Sequence, residues 1–180
     1  MNREKHPFKP FVPLNAQYLI IGSFPCKKST QNKILDDWYY GSSKNQFWRI
    51  LQEVYGRELS SKHSKQELFK EKRIALTDVV LSCIREDNNS ADKNLVNIEY
   101  NTEAIEQILN SNQILKIYFT GKGVLKQFKK YIYDSLLNID GIELIALPSP
   151  SPIYYRMKLK HKVRMYKKLT SPHTLYHFPC

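Results

Sequence analysis

Cysteine is scarce in this chain: Cys26, Cys83 and Cys180 are the only three. The number is odd, no two form a C-x-x-C pair, and no histidine stands at ligand spacing from any of them. That argues against a disulfide framework, a zinc cage and an iron–sulfur cluster, and the thiols read as buried or incidental. Long apolar runs are absent too, which excludes an obvious membrane-spanning helix. The opening MNREKHPFKPF carries charge but no apolar h-region, so no secretory signal is expected and a cytoplasmic location is. Glycine is sparse, six residues in 180. The turn Gly22-Ser23-Phe24-Pro25-Cys26 has too few for a phosphate loop or dinucleotide fingerprint, and no G-x-S-x-G elbow is present. Acidic residues are in deficit, 17 Asp+Glu against 28 Lys+Arg, giving a net charge of +11.

A basic surplus of this size favours a polyanionic partner, because each phosphate contact releases condensed counterions. Twelve Tyr and eight Phe beside those cations suit nucleic acid better than a membrane surface. The bland alternative is a protein that is simply basic. The apolar share of 42% is that of an ordinary globular domain. A single domain is expected over residues 1–180, with its core at about 18–169.

Four short apolar runs carry the strand signal: residues 18–21, 74–80 (IALTDVV), 117–119 and 142–147 (IELIAL). They are near-continuous rather than alternating, as strands buried on both faces of a parallel sheet tend to be. Helical stripes lie between them. Phe47, Ile50, Leu51 and Val54 precede a stop at Gly56, and Ile105, Ile108 and Leu109 form a second stripe. Val124, Leu125, Phe128, Ile132 and Leu136 form a third, and Leu159, Val163, Tyr166 and Leu169 a fourth over residues 155–169. Residues 60–65 and 86–94 are polar and read as loops, as does the tail from 170. The alternation predicts an α/β fold, a three-layer α/β/α sandwich around a mostly parallel four-stranded sheet, with ligands beyond the carboxyl ends of the strands.

Unusual sequence clusters at those ends. After the last strand, Leu147-Pro148-Ser149-Pro150-Ser151-Pro152-Ile153 stiffens the chain with alternate prolines and holds two hydroxyls where phosphate oxygens can be bonded. An ordinary strand-to-helix turn is the competing reading. Lys122, in Thr120-Gly121-Lys122, is a phosphate candidate. Arg156 opens a basic run that is either a solvated helix face or a DNA backbone contact. Asp78 lies in an apolar run, where an unpaired charge is expensive. Two readings stay open for it: an acceptor for an N–H of a ligand, or a structural carboxylate that caps amides or pairs with Arg85. Ser43-x-x-Gln46 reads as a capping box for the helix that follows, which leaves Asn45 for another task.

Gly22-Ser23-Phe24-Pro25, the block Tyr39-Tyr40-Gly41 to Asn45-x-Phe47-Trp48, Asp78 with Ser82-Cys83-x-Arg85-Glu86, and the Pro-Ser loop occur in this order over nearly the whole chain. The set resembles the uracil-DNA glycosylase superfamily, and most of all its hypoxanthine-DNA glycosylase-type branch. The resemblance implies a monofunctional enzyme that flips a deaminated base out of DNA and hydrolyses its N-glycosidic bond, as a monomer, with no metal or organic cofactor. It implies that Asn45 is catalytic and that Phe24 stands where the wider superfamily carries an Asp or Asn. Ser23, Phe24, Tyr40, Asp78 and Ser149 fall at base-binding positions, with Tyr40 as the stacking aromatic. Ser151, Pro152 and Ile153 meet DNA, with Ile153 at the wedge position. Three departures stand out: Ser42-Ser43-Lys44 replaces His-Pro-Arg, Cys26 replaces Gly, and Ser149 replaces a His found in other families. A catalytically weak nucleic-acid-binding module on the same scaffold is the second hypothesis. A small-molecule hydrolase using Ser23 or Ser149 is a third, for which no His/Asp partners are evident.

Overall fold

A computed structural model describes residues 2–26, 38–86, 92–152 and 154–170. Strands β2 (Tyr18–Gly22), β3 (Ile74–Asp78), β6 (Lys116–Phe119) and β7 (Glu143–Ala146) form a parallel sheet in the order β3-β2-β6-β7. These are the four runs read from the sequence. Strand alternation sends Leu19, Ile21, Ala75, Ile117 and Phe119 into one core, while Ile20, Ile74, Leu76 and Tyr118 enter another on the opposite face. Both faces are therefore apolar, which explains the unbroken apolar runs.

Helices α3 (Thr102–Ser111) and α4 (Lys122–Tyr131) cover the first face with Ile105, Ile108, Leu109, Val124 and Phe128. Helices α1 (Phe47–Tyr55), α2 (Lys62–Glu71) and α5 (Leu159–Tyr166) cover the second with Phe47, Ile50, Leu51, Leu68, Phe69 and Tyr166. The result is the expected three-layer α/β/α sandwich. Helix α1 stops at Gly56 as its sequence predicts: φ is +60° there, and the Gly56 amide donates to the Gln52 carbonyl.

The structure corrects four local expectations. Residues 62–65 are not loop but the start of α2, which begins with a reciprocal Ser61–Ser64 capping box; only Leu68 and Phe69 supply its apolar anchor, too few to show as periodicity. The run 74–80 is not one strand. Asp78 ends β3, and after Val79 the chain enters β4 (Val80–Arg85) in a separate antiparallel sheet of order β1-β4-β5, with β1 at Arg3–Lys5 and β5 at Leu95–Tyr100. The last helix is shorter than 155–169: α5 begins at Leu159 and passes into a 3-10 turn over Lys167–Thr170. Finally, Ser43 is exposed and does not cap α1. The N-cap position is Gln46, without a side-chain cap hydrogen bond; one residue earlier, Asn45 Oδ1 accepts from the Phe47 amide at 2.9 Å.

Candidate active site

The parallel register brings the ends of β2 and β3 together, with Gly22 opposite Asp78. Beyond them the backbone stays clamped: the Val79 amide donates to Gly22 O at 2.8 Å, Val80 to Ser23 O at 3.2 Å, and Thr120 to Ile21 O at 3.0 Å. Gly22, Ser23, Asp78 and Thr120 thus reach one edge of the sheet. A Cβ on Gly22 would collide with both Asp78 Oδ1 and Tyr40 Oη, so these two oxygens converge over its bare Cα.

Tyr40 reaches this point through an unusual backbone. The Trp38–Gly41 turn closes with Gly41 N–H donating to Trp38 O at 2.9 Å. Tyr40 is its third residue with φ +58°, a place that favours glycine. Strain of this kind costs about 1–3 kcal/mol and persists only where the surroundings enforce it. Here the Tyr40 ring stacks on Phe47 at 4.0 Å between centroids, and its hydroxyl donates to Thr120 Oγ1 at 3.4 Å. Burial, and then the nearby Asp78 carboxylate, push the Tyr40 phenol well above its ordinary value, so it remains a neutral donor.

Asp78 is buried, and its partner is not Arg85. Arg85 pairs with Glu4 at 3.2 Å, donates to Pro25 O and lies over the Phe24 ring at 5.7 Å. Asp78 Oδ2 instead contacts Nε2 of His6 at 2.9 Å, with 6% and 2% of the two side chains exposed. His6 follows β1 and is ringed by Phe8, Phe24 and Tyr39, at centroid distances of 6.0, 6.0 and 5.2 Å. The other carboxylate oxygen, Oδ1, is buried without a hydrogen-bond partner; Ser23 Oγ is buried too and makes no well-formed hydrogen bond, though its hydroxyl acts on the Asp92 carboxyl. Buried polar atoms are rarely left unpaired, and these two occupy adjoining strand ends. Asp92 stands nearby. It is an exposed residue by area, yet protein on several sides desolvates its carboxyl and pushes it up, with Asp78 acting the same way and the Ser23 hydroxyl against it.

The Pro-Ser loop after β7 is clamped through its carbonyls. Tyr166 Oη donates to Pro148 O at 2.9 Å, and the Gln46 amide donates to Pro150 O at 3.0 Å. Ser149 Oγ accepts from Ser151 N–H at 3.2 Å, and Ser149 adjoins Gly121. Asn45 is half-buried at the start of α1, next to the residue that holds Pro150. Within the basic run, Lys162 is an exception to a solvated face: it is buried and donates to Gln46 Oε1 at 2.9 Å. Desolvation lowers its ammonium pKa.

The structure therefore gathers Ser23, Tyr40 and Asp78 at one point, with Phe24 beside them against His6. Ser149 and Ser151 lie on the neighbouring loop. Lys122, Pro152 and Arg156 are exposed; Ile153 lies outside the described residues. His6 was invisible to sequence reasoning, being one histidine in a charged N-terminal segment. The signal that pointed toward it was the buried Asp78, which demanded a partner.

Polar groups gathered beyond the carboxyl ends of a parallel sheet are the arrangement of an α/β enzyme. The family comparison makes this particular. Residues 9–170 match the model of the uracil DNA glycosylase superfamily, and the chain belongs to that superfamily of DNA glycosylases. It is 32% identical over 150 residues to a hypoxanthine DNA glycosylase of Methanosarcina barkeri (strain Fusaro / DSM 804), spanning 82% of this chain and 87% of that one. A hypoxanthine DNA glycosylase of Methanosarcina acetivorans is 29% identical over 150 residues, with 82% and 86% covered. Among solved structures, a solution NMR structure from Methanosarcina acetivorans, described provisionally as a uracil DNA glycosylase, superposes with a TM-score of 0.68. That match has 25% identity and covers 93% of this chain and 99% of the other. Among the described residues, no helix is long and apolar enough to cross a membrane and no cluster of metal-ligating side chains occurs.

Proposed function

We propose that the protein is a monofunctional glycosylase that removes deaminated bases from DNA, hypoxanthine first and uracil second. The observation that carries this reading is the buried, unpartnered oxygen Asp78 Oδ1, with the Ser23 hydroxyl on the adjoining strand end. Hypoxanthine offers N1–H beside the C6 carbonyl, and uracil offers N3–H beside the C4 carbonyl. An acceptor at Asp78 and a hydroxyl donor at Ser23 satisfy either edge. Adenine and cytosine reverse both polarities; the Ser23 hydroxyl can turn to accept from their amino group, but the Asp78 acceptor is left opposed to a bare ring nitrogen. The naming of the two Methanosarcina relatives supports hypoxanthine as the leading substrate.

Both oxygens are closed off from solvent in the free protein, so an incoming base must displace their cover. Flipping the nucleotide costs a few kcal/mol, which the Pro-Ser loop with Ile153 as wedge, and Lys122 and Arg156 on phosphates, help to offset. Tyr40, backed by Phe47, stacks on the base, and Phe24 and Ser149 complete its surroundings. Asn45 keeps its Oδ1 on the Phe47 amide and so presents a fixed Nδ2, which positions a water toward C1′. The bond from C1′ to the base nitrogen breaks with its electron pair leaving on the base. The water oxygen then bonds C1′ and its proton passes to the departing base. With a departure this dissociative, positioning supplies most of the acceleration.

The test is to incubate end-labelled duplexes carrying hypoxanthine or uracil with the protein and then cleave abasic sites with alkali. Strand cleavage at hypoxanthine, with adenine and cytosine duplexes intact, is expected. Absence of abasic product from every deaminated base, with DNA still bound, would assign the scaffold to binding alone. Asp78→Leu, which deletes the acceptor, is expected to lower hypoxanthine excision by about 100-fold or more.

A further inference from the structure

We propose that His6 is a specificity-determining residue: it holds the proton that keeps the free oxygen of Asp78 a hydrogen-bond acceptor. The inference rests on the reading of Asp78 given above. His6 Nδ1 lies 2.7 Å from the Phe8 carbonyl oxygen, which only accepts, and in this proposal the ring hydrogen sits on that contact. The Phe8 amide donates toward the same nitrogen at 3.2 Å, the contact that the opposite tautomer would use. Nε2 faces Asp78 Oδ2 at 2.9 Å. With Nδ1 protonated, one mobile proton occupies that contact, on the imidazole or on Oδ2. In either arrangement Oδ1 has no proton and presents a lone pair over Gly22.

Without this partner, a carboxylate buried among apolar rings takes up a proton more readily than one in water. The proton is then free to sit on Oδ1. That would turn the acceptor into a donor and match the bare ring nitrogen of adenine. The groups facing Asp78 from the other elements do not replace His6. Tyr39 and Tyr40 are neutral phenols pushed up by burial and by Asp78 itself. Asp92 is a second acid, with the Arg85 guanidinium acting on it, while Arg85 is bound to Glu4. The ring cage of Phe8, Phe24 and Tyr39 fixes the imidazole and excludes solvent from the contact.

The same geometry makes a distinct prediction for Asp78→Asn. The amide NH2 would donate to Nε2 and leave its oxygen over Gly22, so the acceptor survives while His6 is present. Single-turnover excision of hypoxanthine and of adenine is therefore compared from pH 5.5 to 8 in five full-length proteins: wild type, Asp78→Asn, His6→Phe, His6→Gln and the double variant His6→Phe/Asp78→Asn. Wild type is expected to prefer hypoxanthine throughout; Asp78→Asn is expected to be slower, its amide oxygen being a weaker acceptor than a carboxylate, while still preferring hypoxanthine to adenine. His6→Phe loses that preference progressively as pH falls, and the double variant loses it at every pH. His6→Gln, which keeps a donor toward Oδ2, recovers preference at the upper end of the range. Nitrogen-15 shifts of His6 in the wild type supply a readout that needs no variant, with Nδ1 protonated throughout. A wild-type preference in His6→Phe at all pH values, or an unprotonated Nδ1, overturns the proposal. Unchanged hypoxanthine excision in Asp78→Leu instead overturns the underlying reading of Asp78.

Discussion

Asn45 carries two demands on one small amide. Its oxygen accepts from the Phe47 amide at the start of α1, and in the proposed mechanism its nitrogen positions a water. Truncation to alanine therefore confounds the two, because losing that hydrogen bond alone costs about 1 kcal/mol. Asn45→Asp separates them: the acceptor for Phe47 remains, a negative charge at a helix start is tolerated, and the NH2 disappears. Thermal stability is expected to stay within a degree or two while single-turnover excision falls by about 10- to 1000-fold. Equal activity would leave Asn45 with its hydrogen bond to the Phe47 amide as its only role. Gly22 is the second sensitive position. Gly22→Ala forces a methyl against Asp78 Oδ1 and Tyr40 Oη, and a loss of about 1–3 kcal/mol is expected in denaturant unfolding. The family resemblance assigned Tyr40, Asn45 and Asp78 to one site; the structure brings Tyr40 and Asp78 together over Gly22 and puts Asn45 at the start of α1. Nothing in the sequence hinted at the left-handed Tyr40 backbone, since that depends on packing against Phe47.

At the scale of elements, legibility followed burial. The parallel strands were readable because both their faces are apolar. The β1-β4-β5 sheet was not: β1 is Arg-Glu-Lys, and its pairing joins residues some eighty positions apart, Arg3 with Ile84. That hidden sheet is what delivers His6 to Asp78. The Pro-Ser loop was legible as rigid, but its rigidity has a second source in the hydrogen bonds from Tyr166 and Gln46 to proline carbonyls. Tyr166→Phe removes one of them and leaves a shielded carbonyl unpaired. A loss of about 1–2 kcal/mol is expected from the denaturation midpoint at unchanged m value, with weaker excision because the loop is less fixed.

For the whole molecule, the net charge of +11 becomes a matter of which cations face outward. Lys122 and Arg156 are exposed on the strand-end side, whereas Lys162 is buried and bonded to Gln46. Affinity for undamaged duplex should fall steeply with salt, each phosphate contact contributing about −0.9 to the slope of log K against log salt. Lys122→Ala and Arg156→Ala are each expected to reduce that slope by about one, and Lys162→Met to leave it unchanged, as read by fluorescence anisotropy across salt.

In the proposed function, the unpartnered Asp78 oxygen at the end of β3, with the Ser23 hydroxyl beside it, reads the edge of a deaminated base. The most direct measurement is the single-turnover rate on a hypoxanthine duplex for wild type and Asp78→Leu, with folding of both verified by their melting curves. A folded Asp78→Leu protein that has lost about 100-fold or more in rate is the predicted result. A folded variant as fast as wild type would contradict it.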